Sequence, residues 1–100
     1  MKQIDFKQVI TAMATPFKAD GTVCHYTACE LAEYLLENGT DSILLSGTTG
    51  ESPTLTHEEE VNLYQAVLER VKGKAPVIVG TGSNCTRTAI AATQKAESLG

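Results

Sequence analysis

Three short apolar runs, Val9 to Ala14, Ser42 to Ser46 and Val77 to Val79, begin roughly 33 residues apart and limit what this chain can fold into. Each is rich in β-forming residues and free of charge, the pattern of a buried strand. The intervals between them carry helical patterns. A strand, helix, strand order with that spacing predicts βαβ units on a parallel sheet, so the fold class is α/β.

The helical segments support this order. From about His25 to Asn38, Ala28, Leu31, Ala32 and Leu35 recur at i, i+3, i+4 and i+7, with Glu30, Glu33 and Glu37 on the other face and Gly39 placed to end the helix. The second helix opens with Thr56-His57-Glu58-Glu59, a capping box in which the Thr56 hydroxyl accepts from a free backbone N–H while Glu59 reaches back. Its buried face is Val61, Tyr64, Val67, Leu68 and Val71. The third, from about Thr86 to Leu99, is expected to bury Ala89, Ala92, Ala96 and Leu99, a small-residue face that lets a helix lie close to a sheet, with Gly100 as its cap. A period near 33 also suits helical-repeat arrays, but the segments between helices are strand-like and neither the ankyrin nor the tetratricopeptide signature is present. Periodicity alone does not separate an open doubly wound sheet from a closed barrel, because three βα units begin both.

Composition narrows the function classes. At 42% hydrophobic and 20% charged the 100 residues are ordinary for a soluble globular chain. No apolar run approaches the ~18 residues of a membrane span, and the start from Met1 to Phe6 does not build a signal-peptide core, so a cytoplasmic location is expected. A net charge of −4 without any Lys/Arg cluster leaves no footprint for a phosphate backbone, which argues against nucleic-acid binding. The three cysteines, Cys24, Cys29 and Cys85, form no CxxC pair and have no histidine at zinc-site spacing, so they read as free thiols and no metal site is expected.

In a parallel α/β fold the ligand sits at the carboxyl ends of the strands, so the residues after each run are the informative ones. They are Thr15-Pro16-Phe17, Gly47-Thr48-Thr49-Gly50-Glu51 and Gly80-Thr81-Gly82-Ser83-Asn84. Gly and Thr there bring backbone N–H groups and hydroxyls to one rim, suited to a small anion such as a carboxylate; the same residues also simply build turns. A dinucleotide fingerprint fails because Asn84 is followed by Cys85 and not by a third glycine. Neither a Lys-Ser/Thr phosphate loop nor a G-x-S-x-G nucleophile elbow occurs.

Ser46-Gly47-Thr48-Thr49-Gly50-Glu51-Ser52-Pro53-Thr54-Leu55 resembles the signature after the second barrel strand of the dihydrodipicolinate synthase family. The likeness extends through Val9 to Phe17 and Pro76 to Thr86 and covers nearly the whole chain. It implies that residues 1–100 are the first three βα units of a single (βα)8 barrel domain. The implied enzyme condenses pyruvate with aspartate semialdehyde, in lysine and diaminopimelate biosynthesis, after pyruvate forms a Schiff base with a barrel lysine. It uses no metal or organic cofactor. By the same resemblance Thr49 holds the pyruvyl carboxylate through its hydroxyl and backbone N–H. Thr48 is the middle of a proton relay, a task suited to a hydroxyl that donates and accepts at once. The full-length protein is expected to be a homo-oligomer, a tetramer in many members.

The family's Schiff-base lysine, two catalytic tyrosines and carboxylate-binding arginine lie beyond the third helix, so these residues by themselves are expected to be an inactive portion. The lysines present, Lys2, Lys7, Lys18, Lys72, Lys74 and Lys95, sit in polar termini, loops or a helix, where nothing lowers an amine pKa. Arg70 and Arg87 read as surface groups. Eight units would need roughly 260 residues, a usual barrel size; three leave the first and third strands as apolar edges. Lysine-sensitive relatives bind that end product near the second loop, at positions matching Ser52, Leu55, His57 and Asn84. Glu60 and Thr88 depart from that pattern, which argues against feedback by lysine, and His57 also reads as an ordinary first-turn residue. Two alternatives are a different pyruvate aldolase, such as an N-acetylneuraminate lyase-like enzyme, and a truncated non-catalytic module. The run Thr48-Thr49 with Glu51 to Leu55 favours the synthase.

Overall fold

The computed structural model describes residues 3–100; Lys2, expected as a surface charge, lies outside them. Strands β1 (Ile10–Ala12), β2 (Ser42–Leu45) and β3 (Val77–Val79) alternate with helices α1 (His25–Glu37), α2 (His57–Val71) and α3 (Thr86–Ser98). The strands form one parallel sheet in the order β1-β2-β3, with Ile10 opposite Ser42 and Ile43 opposite Val77. The βαβ reading of the sequence is the observed one, and the carboxyl ends of all three strands meet at one rim. β1 is shorter than the run Val9 to Ala14, although the Met13 amide continues the pairing with a 2.9 Å bond to the Leu44 carbonyl.

The middle strand carries the core. Ile43 and Leu45 are fully covered by Ala28 and Ala32 of α1 and by Leu63, Val67 and Val71 of α2. The alanines let α1 approach closely, and each large apolar side chain sealed there contributes ~1.5–3 kcal/mol. Leu63 was not on the face expected for α2, and Val61 and Leu68, which were, are only half-buried. The helix is wrapped more broadly than a single stripe because it meets the sheet and α1 together. Arg70 is not a free surface group: it joins Glu33 and Glu30 of α1, and Lys74 reaches Glu33 at 3.3 Å. The Arg70 guanidinium first, then Lys74, holds the Glu33 carboxyl below its ordinary value.

The helix ends follow their sequence signals. Glu59 N donates to Thr56 Oγ1 at 3.1 Å and Thr56 N to Glu59 Oε1 at 2.8 Å, closing the capping box. Gly39, at φ 113°, ends α1 while the Thr40 amide bonds back to Leu35, and Gly100 takes φ 89° after α3. Between β1 and α1 the chain makes an excursion that the strand and helix patterns did not show. Phe17 and Val23 pair antiparallel around an Asp20-Gly21 turn in which Asp20 Oδ1 accepts from the Thr22 amide and hydroxyl. That Asp-Gly dipeptide was its signal.

α3 differs most from expectation. Ala89, Ala92, Ala96 and Leu99 do face the body, but none is buried. α3 does not pack extensively against any other described element, so this face stays half-covered and a groove remains between α2 and α3. β1 and β3 are the sheet edges, with Ile10 47% exposed. The thiols of Cys24, Cys29 and Cys85 are unpaired.

Candidate functional site

The rim is built around the end of β2. Ser46, the residue after the strand, has φ 54°, a left-handed conformation unusual for a side chain with a Cβ. This turns the chain abruptly into Gly47-Thr48-Thr49. The Glu51 amide bonds the Thr48 carbonyl at 3.0 Å and the Ser52 amide bonds the Gly47 carbonyl at 3.3 Å. The resulting turn leaves Thr48 and Thr49 exposed and Gly50 buried. A second left-handed residue, Glu51 at φ 59°, leads into a short 3-10 turn, Ser52–Thr54, and so to the N-cap of α2.

Neighbouring loops clamp this turn from both sides. From β1, the buried Thr15 hydroxyl donates to the Gly50 carbonyl at 2.7 Å. A Cβ on Gly50 would stand 3.1 Å from Met13 O and 3.1 Å from Thr15 Oγ1, so the close approach needs a small residue. From β3, the Gly80 amide bonds the Leu45 carbonyl at 2.8 Å, and a Cβ on Gly80 would lie 2.2 Å from Ser46 O. The glycines of the second and third loops thus serve contact between loops, in addition to freeing backbone N–H groups.

Beside the rim, between α2 and α3, lies a groove of about 700 Å³. Its lining brings together Thr48, Ser52, Leu55, His57 and Asn84, with Glu60 and Thr88 among them. Thr49 stands on the same turn outside that lining. Leu55 is buried and Ser52 half-buried, whereas His57 and Asn84 are exposed. The described lysines, Lys7, Lys18, Lys72, Lys74 and Lys95, are all exposed.

The groove floor holds groups that sequence reasoning did not connect. Tyr64 is 5% exposed, and its hydroxyl lies 3.1 Å from Glu60 Oε2 and 3.1 Å from the Gly80 carbonyl. The Ser52 hydroxyl reaches the same Glu60 oxygen at 3.3 Å. Among the described residues, Ser46 Oγ is the buried side-chain polar atom without a hydrogen-bond partner. It sits near the Tyr64 hydroxyl but outside hydrogen-bond geometry. Burial pushes the Tyr64 phenol up to about 12, with the Glu60 charge adding to the rise and the Ser46 hydroxyl opposing it. Tyr64 is therefore a proton donor at any neutral pH. The signal for this pair was present in the i, i+4 spacing of Glu60 and Tyr64, but the apolar periodicity of α2 absorbed Tyr64 into the core.

Parallel βα units whose loops converge on a Gly/Thr rim define an α/β protein of the class that holds its ligands at the carboxyl edge of the sheet. A family model described as the dihydrodipicolinate synthetase family matches residues 5–100, and the chain belongs to that family. It is 60% identical over 96 residues to a 4-hydroxy-tetrahydrodipicolinate synthase of Nostoc sp., covering 96% of this chain and 33% of the relative. A crystal structure of dihydrodipicolinate synthase from Bacillus anthracis superposes with a TM-score of 0.95 at 49% identity, covering 98% of this chain and 34% of that one. The chloride-inhibited dihydrodipicolinate synthase from Acinetobacter baumannii, complexed with pyruvate, gives a TM-score of 0.92 at 38% identity, covering 96% and 33%. The chain thus spans about a third of the length of the relatives it matches.

Proposed function

We propose that these residues form the second-loop half of the substrate site of a (βα)8 lyase that condenses pyruvate with aspartate semialdehyde through a lysine Schiff base, in lysine and diaminopimelate biosynthesis. The observation that carries this reading is the Thr48-Thr49 turn, presented at the carboxyl end of β2 in a chain of this family. Residues 1–100 supply the first three of eight βα units of one barrel domain in a cytoplasmic homo-oligomer. The Schiff-base amine comes from outside them, since every described lysine is exposed on the surface.

In this role Thr49 offers its hydroxyl and backbone N–H to the pyruvyl carboxylate. A fixed pair of donors holds an anion without reorganisation and keeps the reacting carbonyl in one orientation. Thr48, exposed at the mouth of the groove, passes a proton between flanking groups by accepting and donating through one oxygen. Ser52, Leu55, His57 and Asn84 line the adjoining groove together with Thr48, which supports reading them as an effector site. Glu60 and Thr88 in the same lining depart from the lysine-sensitive pattern, which argues against lysine as the ligand there.

The test is the intact mass of the full-length product of this gene, before and after pyruvate with borohydride. The expected result is one reduced pyruvyl adduct per chain, with turnover on aspartate semialdehyde and none on N-acetylneuraminate. No adduct would reject the Schiff-base reading, and turnover on N-acetylneuraminate alone would move the protein to the related lyases.

A further inference from the structure

We propose that Tyr64 is a positioning residue for the Thr48-Thr49 rim, acting through Glu60 and Ser52 on the second loop and through the Gly80 carbonyl on the third. This rests on the function proposed above and adds to it a residue that does not touch substrate. A phenylalanine would fill the same apolar volume, whereas a buried phenol destabilises the fold unless its oxygen is used. Here it is used twice. Its single proton faces two acceptors at equal 3.1 Å distances, the Glu60 carboxylate and the Gly80 carbonyl, and the charged acceptor makes the stronger bond.

Glu60 is the point where the loop is fastened. Its Oε2 accepts from Tyr64 on its own helix and from Ser52, which begins the 3-10 turn four residues after Thr48. Gly80, the other partner of Tyr64, lies against the backbone of Ser46, two residues before Thr48. The clamp therefore grips the turn on both sides of Thr48 and Thr49. It also backs Ser46, whose strained left-handed backbone persists only when its surroundings hold it. Released from Tyr64, the turn would trade that strain for mobility, and the two donors on Thr49 would lose their fixed aim.

The experiment is steady-state kinetics of Tyr64→Phe, Glu60→Gln and Glu60→Ala in the full-length gene product, with borohydride trapping of pyruvate and thermal midpoints measured alongside. Removing one intramolecular hydrogen bond predicts that Tyr64→Phe raises the pyruvate KM about fivefold with kcat within about twofold. Glu60→Gln keeps an accepting oxygen but loses the charge and is expected to raise the pyruvate KM less than Tyr64→Phe does, while Glu60→Ala repeats the Tyr64→Phe effect. The double variant Tyr64→Phe/Glu60→Ala is expected to be no worse than either single change, because both break one unit. A lowered thermal midpoint with unchanged KM would show a purely structural hydroxyl and overturn the proposal. Wild-type protein that traps no pyruvate would instead reject the underlying function, so the two failures are distinguishable.

Discussion

Replacing Gly80 with alanine tests the contact on which the rim is built. The added Cβ would stand 2.2 Å from Ser46 O and 2.9 Å from Ser46 C, roughly 1 Å inside ordinary van der Waals separation. Both obstructing atoms are backbone, so no side chain can rotate away. Relief requires β3 to withdraw from β2 at the Leu45–Val79 pair, beside the 2.8 Å bond from Gly80 N to Leu45 O. Overpacking of this kind costs ~1–3 kcal/mol, and weakening the adjacent hydrogen bond adds ~1 kcal/mol. A loss of ~2–4 kcal/mol corresponds to a thermal midpoint lowered by roughly 5–15 °C in a domain of barrel size. The assay is thermal unfolding of the full-length product by circular dichroism, with pyruvate KM measured on the same preparation. Because the displaced atoms belong to Ser46 and Gly47, the reasoning also requires KM to rise. A midpoint within about 1 °C of wild type would refute it, and so would a destabilised protein with unaltered KM.

Thr49→Val removes the hydroxyl while keeping the β-branched shape, and loss of a hydrogen bond to a carboxylate is expected to raise the pyruvate KM about 10- to 100-fold in steady-state assays; an unchanged KM would remove Thr49 from the carboxylate site. Thr56→Ala opens the capping box of α2 and is expected to cost ~1 kcal/mol by denaturant unfolding, with m unchanged. The Tyr64 phenol titrates at about 12 in the fold and near 10 when unfolded, so the unfolded chain gives up its proton first. Its stabilising contribution is then complete below pH 10 and is lost as pH rises through 12, with a slope of at most ~1.4 kcal/mol per pH unit. Comparing alkaline unfolding of wild type with Tyr64→Phe isolates this effect, and identical alkaline limbs would show that the phenol is not buried as described.

The sequence determined the order and kind of the elements because those depend on local periodicity. Uncharged β-forming runs at Ser42 and Val77, the Thr56 to Glu59 capping box and the glycines after α1 and α3 each act within a few residues of themselves. The Gly/Thr loops were legible as a rim for the same reason, since a parallel sheet places the loop after every strand on one side. The roles proposed for Thr48 and Thr49 rest on the family signature from Ser46 to Leu55. Tertiary structure decided what depends on atoms far apart in sequence. Leu63 is sealed because α2 meets α1 and the sheet at once, and the alanines of α3 stay half-covered because that helix does not pack extensively against another described element. Gly80 is small because the Ser46 carbonyl occupies the space its Cβ would need, 34 positions away. Tyr64 read as core by its spacing; only the approach of the Gly80 carbonyl and the shared carboxylate of Glu60 show that its hydroxyl ties two loops to one helix.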